Sequence, residues 1–194
     1  MLNKDNALKL IEEHVENKNI VKHMLALEVV MGELWQKLES DKRSLPAGRQ
    51  EWMLAGLLHD GDYCAAVPPE KQGIQIVEWA RASGYEIPDN VAHAIAAHNW
   101  SNTKVEPVNS MDWSIFCADS LTGLIVACAL VIPSKKLADV TPEMVLKKFG
   151  QKAFAGGTRR EDVKMCEEKL GIKLDEFVKI SLNAMKSISS ELGL

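Results

Sequence analysis

Four residues in this chain have the types and the setting to hold a divalent cation: His23, the adjacent pair His59-Asp60, and Asp119. Imidazole nitrogen with carboxylate oxygen is a donor set suited to borderline ions such as Mn, Fe, Ni, Co or Zn, and carboxylates also accept Mg. Taken singly, each residue has an ordinary explanation. A lone His on an apolar face is usually a hydrogen-bonded core residue, and a lone buried Asp usually caps a helix or joins an ion pair. Their surroundings argue for more. His59-Asp60 stand where the apolar helix in LAGLLHDGD ends. In mid-helix adjacent side chains diverge by about 100°, but at a helix end both can turn toward one point. Asp119 lies among Phe116, Cys117, Leu121, Leu124 and Ile125. An unpaired carboxylate there would cost about several kcal/mol or stay protonated. No Arg or Lys follows it before Lys135, so its cation must come from another helix or from a metal. His23 follows Val21 and precedes Met24, Leu25 and Leu27 in an inward-facing stretch.

The elements that must bring these residues together are helices, because nearly every segment has helical periodicity. Residues 5–18 place Leu8, Ile11 and Val15 on one face. Asn19 is a cap for a second helix running to about Leu38 and carrying His23. Residues 40–50, polar with Pro46 and Gly48, read as a loop. A third helix leads to Leu58 and is broken at Gly61. Pro68-Pro69 opens a fourth, ending near Ser83-Gly84, and Pro88-Asp89 opens a fifth, ending at His98. After a loop over 100–110, a sixth helix carries Asp119 and should be the most buried; Pro133 ends it. Thr141-Pro142-Glu143 is a strong helix start. Residues 154–157 form a loop, and two last helices cover about 159–170 and 174–191. There are no internal repeats, no low-complexity tracts and no convincing strand. The expected fold class is all-α, a bundle of eight or nine helices with short connections.

At 194 residues the chain suits a single domain with a real core. We divide it into a core over about 20–132 and a helical extension over 133–194 packed on it. Hydrophobic residues make up 46% and charged residues 26%, which is ordinary globular usage. The net charge of -4 argues against a nucleic-acid polymer as partner, since phosphate neutralisation needs clustered Lys and Arg. It leaves room for a small phosphorylated molecule. Cys64, Cys117, Cys128 and Cys166 form no CxxC pair and read as buried free thiols in a reducing cytoplasm. The first residues do not read as a signal peptide. The one membrane candidate, Ile115 to Ile132, carries Asp119 inside it, and a buried helix explains it better than a lipid span.

The pattern His23, His59-Asp60, Asp119 resembles the HD-domain superfamily of metal-dependent phosphohydrolases. LLHDGDY, AIAAHN, ADSLTGLI and PSKKLADVTPEMVLKKFGQKAFAGGTRRE extend the resemblance, to a branch of uncharacterised HD hydrolases, from about residue 20 onward. It implies a helical fold around one or two metals and hydrolysis of phosphate esters, often of nucleotides, by metal-activated water. Under it His23, His59, Asp60 and Asp119 are the metal ligands. Asp60, Asp62 and His98 are the catalytic candidates. Asp62 would hold or deprotonate the attacking water, or else cap the next turn. Where some members carry an acid or Lys four residues after the first His of the dipeptide, this chain has Tyr63. His98 fits one ligand position of two-metal members, but the other expected His is Gln72. That favours one divalent ion, with His98 contacting the substrate phosphate or acting as an acid. Lys135, Lys136, Lys148, Lys152, Arg159 and Arg160 supply positive charge. Of these we select Lys135 and Arg160 for phosphate binding, since they sit at helix boundaries within the resembling stretches. Trp100, after His98, is the best aromatic candidate for a substrate contact. His14 reads as a surface residue and His93 as structural or exposed.

Two other readings compete. One is a non-catalytic protein whose site binds a metal or metabolite. The other is a di-iron HD oxygenase, which Gln72 opposes because a second iron would lack a ligand.

Overall fold

The computed structural model describes residues 2–39 and 48–194. Among these residues every regular element is helical: α1 (Lys4–His14), α2 (Lys18–Leu38), α3 (Arg49–Leu58), α4 (Gln75–Ala82), α5 (Asp89–His98), α6 (Trp100–Thr103), α7 (Ser110–Val131), α8 (Pro142–Phe149), α9 (Arg160–Leu170), α10 (Leu174–Ser187) and α11 (Ser189–Leu192). The all-α expectation holds. Two of the eleven, α6 and α11, are single turns of 4 residues, so the longer helices match the expected number. The loop expected over residues 40–50 lies mostly outside the described residues, and its last two positions, Arg49 and Gln50, already belong to α3.

Local chemistry explains most boundaries. Thr141 caps α8 by accepting the Met144 N–H, with Pro142 at the first helical position. Asn109 caps α7 through the N–H groups of Met111 and Asp112. Two starts differ from the sequence reading. The cap of α2 is Asn17, which accepts the Asn19 N–H. Pro68-Pro69 opens only a 3-10 turn, Pro69–Lys71, because the backbone turns again at Gly73 (φ +91°) before α4 begins.

The hairpin α2–α3 packs most extensively, and α7 lies against α2, α5 and α9. Of the C-terminal helices, α8 and α10 pack on α7, and α10 also reaches α2. Ile115, Cys117, Ala118, Leu121, Leu124 and Ile125 of α7 are fully buried. By length and composition α7 passes for a membrane span. The bundle instead covers most of its length, and Leu130 and Val131 at its end are exposed. Cys117, Cys128 and Cys166 are buried free thiols, while Cys64 is half-buried. Burial pushes the Cys166 thiol up to about 12, so it is unreactive at neutral pH.

Gly56 sets how closely α3 approaches α2. A Cβ at this position would stand 2.7 Å from the Leu27 carbonyl oxygen, inside any tolerable contact. The close crossing brings His23, on α2, beside His59, at the end of α3.

Candidate metal centre

The end of α3 behaves as its sequence suggests. His59 and Asp60 both turn inward, with His59 Nε2 3.4 Å from Asp60 Oδ2. His23 Nε2 lies 3.1 Å from His59 Nε2, 3.0 Å from Asp119 Oδ1 and 3.7 Å from Asp60 Oδ2. His59 Nε2 lies 3.9 Å from Asp119 Oδ1. His23, His59 and Asp60 form a group able to hold a metal ion; Asp119 stands beside it, within 3.0 and 3.9 Å of the two imidazoles.

The tautomers are set by the surrounding acceptors. His59 Nδ1–H donates to the Gly56 carbonyl at 2.8 Å, and His98 Nδ1–H donates to the Ile95 carbonyl. Thr122 Oγ1 donates to the Asp119 carbonyl at 2.8 Å, which leaves its oxygen to accept His23 Nδ1–H at 3.0 Å. A carbonyl only accepts, so each of these rings, when neutral, carries its free lone pair on Nε2. Two such lone pairs facing each other at 3.1 Å repel unless a cation or an added proton lies between them. The 3.0, 3.1 and 3.4 Å spacings also suit one ion. Two atoms bound at about 2.1 Å lie about 3.0 Å apart at a right angle and about 3.4 Å apart at the tetrahedral angle. Nδ1 anchoring of metal-ligating His is the usual arrangement, since it orients the ring and raises its basicity.

Electrostatics follow the same pattern. Burial pushes the Asp60 carboxyl upward, but the His59 and His98 imidazoles outweigh it and hold Asp60 well below the usual carboxylate range. Asp119 is likewise held low by His23 and His59 against its own burial. Burial pushes His98 down, and the Asp60 carboxylate more than reverses this. Both acids are therefore anionic at neutral pH.

His98 stands just outside the four-residue group. Its Nε2 is 3.5 Å from Asp60 Oδ1, on the opposite carboxylate oxygen from His23 and His59. Gly73 makes room for it: a Cβ there would meet the Ile95 carbonyl at 2.7 Å and the His98 ring at 3.3 Å. Gln72 donates to the Val67 carbonyl.

Two expected site residues have other bonds, and a third is exposed. Asp62 is fully buried, and its carboxylate accepts the N–H groups of Gly73 (2.9 Å) and Ile76 (3.0 Å). It caps the start of α4, which is the alternative to handling water. Arg160 donates to the carbonyls of Phe149, Gln151 and Phe154 at 2.7, 3.0 and 2.6 Å. It ties the 149–158 turn to α9 and has no side chain bonded at the cluster. Lys135 is exposed and lies beyond the end of α7. Tyr63 is 52% exposed.

The cation at the site is Arg159. Its Nη2 donates to Asp119 Oδ2 at 2.7 Å and its Nε to Asp162 Oδ2 at 2.7 Å. Sequence reading placed it in the basic cluster but chose its neighbour. Thr122 was missed as well; its signal was the three-residue spacing from Asp119, which places both on one helix face. His14 is half-buried and stacks on Trp79 with ring centroids 3.6 Å apart. His93 pairs with Asp112, the structural role expected of it.

No protein-family model, curated protein or solved structure matches the chain.

Proposed function

We propose that this protein is a metal-dependent phosphohydrolase of the HD type, cleaving a phosphate ester of a small, nucleotide-like molecule at the His23/His59/Asp60/Asp119 cluster. The observation that carries the reading is the His23/His59/Asp60 group with its two Nδ1-anchored imidazoles, beside which stands the Asp119 carboxylate, with Arg159 bonded to its outer oxygen. His23, His59, Asp60 and Asp119 would hold one divalent ion, which when bound lowers the pKa of a water and polarises a phosphoryl oxygen. Arg159 offers a guanidinium fork to the phosphate oxygens, a match in shape as well as charge. His98, with its Nε2 beside Asp60 Oδ1, is placed to hold or pass a proton at the leaving oxygen. Asp60 orients that ring through the same contact.

The test is phosphate release from 4-nitrophenyl phosphate with added Mn, Co, Ni or Mg, repeated after chelation and with Asp60→Ala. Turnover that needs the ion and is lost in Asp60→Ala, with the helical circular dichroism unchanged, is the expected result. Metal binding without turnover for any ion would make the cluster a binding site and end the catalytic reading. Turnover retained in Asp60→Ala would move the chemistry elsewhere.

A further inference from the structure

A cavity of about 350 Å³ lies between the α5–α6 junction, α7 and the start of α9. His98 and Arg159 line it, and each also touches a carboxylate of the cluster. One side of it is aromatic, formed by Trp100, Trp113 and Phe116 with Met165 beside them, and Asn99 and Ser101 add polar groups. The three rings pack against one another with centroids 5.6 to 6.1 Å apart. Trp100 nevertheless keeps 37% of its surface exposed. A Trp held by two aromatic neighbours and still open to a cavity offers a surface on which a ring can stack. A flat π-system gains most from it, through offset or edge-on contact that a saturated group of equal size does not reproduce.

Charge limits what else enters. Arg159 is the one Arg or Lys among the described residues lining the cavity, and Asp119 and Asp162 already pair with it. Glu161 and Asp162 stand on the same wall. Beyond the ion that the cluster would hold, the cavity therefore supplies little positive charge for a second or third phosphate, which favours a monophosphate.

We propose that this cavity is the specificity pocket for the alcohol half of the substrate, and that it selects phosphomonoesters carrying a flat aromatic ring, with Trp100 as the specificity-determining residue. The proposal rests on the phosphohydrolase reading for its phosphate end, and the ring end is tested separately by binding. The probes are 2-phenylethylphosphonate and 2-cyclohexylethylphosphonate, which match in charge and length and differ in the flatness of the ring. Titration calorimetry of the full chain, with Mn present, gives about tenfold tighter binding of the phenyl compound. Trp100→Ala brings the ratio close to one, and Trp100→Phe restores it. Equal binding of the two probes by the unaltered protein overturns the proposal. So does a preference that survives in Trp100→Ala, even where aryl phosphates are hydrolysed. A binding preference with no phosphate release from 2-phenylethyl phosphate keeps the pocket and removes the catalytic reading.

Discussion

Helix α7 carries two His–Asp pairs of the same length in different surroundings. Near its start, Asp112 Oδ2 stands 3.0 Å from His93 Nδ1. Two turns further on, Asp119 Oδ1 stands 3.0 Å from His23 Nε2. Both carboxyls are pushed upward by burial. Asp112 remains raised, because only the Val108 and Asn109 backbone and one half-exposed His oppose its desolvation. Asp119 falls, because two imidazoles act on it together. A His–Asp pair by itself is therefore a structural contact. What makes a candidate centre is the number of elements converging on it: α2, the end of α3, α7 and the residue before α9.

Asp119→Ala breaks the comparison hardest. It should abolish metal binding and lower turnover more than about a hundredfold, beyond what loss of a residue merely supporting a ligand produces. Metal analysis and phosphate-release assays check this, and an ion retained in the variant removes Asp119 from the site. Arg159→Ala deletes the guanidinium that Asp119 has and that Asp112, among the described residues, lacks. Loss of one charge-assisted bond to phosphate should raise KM about tenfold with the ion retained; an unchanged KM would make Arg159 a purely structural partner of Asp119 and Asp162. Arg160→Ala should do the reverse, leaving KM alone and costing about 2 kcal/mol of stability through the orphaned carbonyls. In a chain of this size that lowers Tm by about 4 to 8 °C, and a KM effect instead would reinstate Arg160 at the phosphate. The smallest effect concerns Asp112. Its folded pKa is raised above its unfolded value, so the folded state binds the proton more tightly. Its protonation adds stability as pH falls through the raised value, and that gain is complete below the unfolded value near 3.8. Denaturant curves from pH 7 to pH 4 should show Asp112→Asn losing ground to the unaltered protein as acidity increases. A constant gap would mean that Asp112 does not titrate in this range.

The helical elements were legible in the sequence because apolar spacing and caps are local signals. The start of α8 at Thr141-Pro142 and the burial of α7 needed no tertiary information. The four cluster residues were legible for a related reason: each is a polar group in an apolar setting, and that mismatch demands a partner. What local signals do not supply is the separate role of each neighbour. Asp60 and Asp62 are two residues apart in one turn, and only the turn of the backbone at Gly73 sends Asp62 to the amides of α4. Arg159 and Arg160 are adjacent, and a single residue at the entrance of α9 decides which faces Asp119 and which faces backbone carbonyls. Gly56 and Gly73 were invisible as site residues, because their role is to be small where another helix must pass.

Metal content of the purified chain, measured after dialysis with Mn and again for Asp60→Ala, tests the central claim most directly. About one ion per chain in the unaltered protein and none in the variant is the predicted result. No ion in either, or the same ion in both, would contradict a metal centre at His23, His59, Asp60 and Asp119.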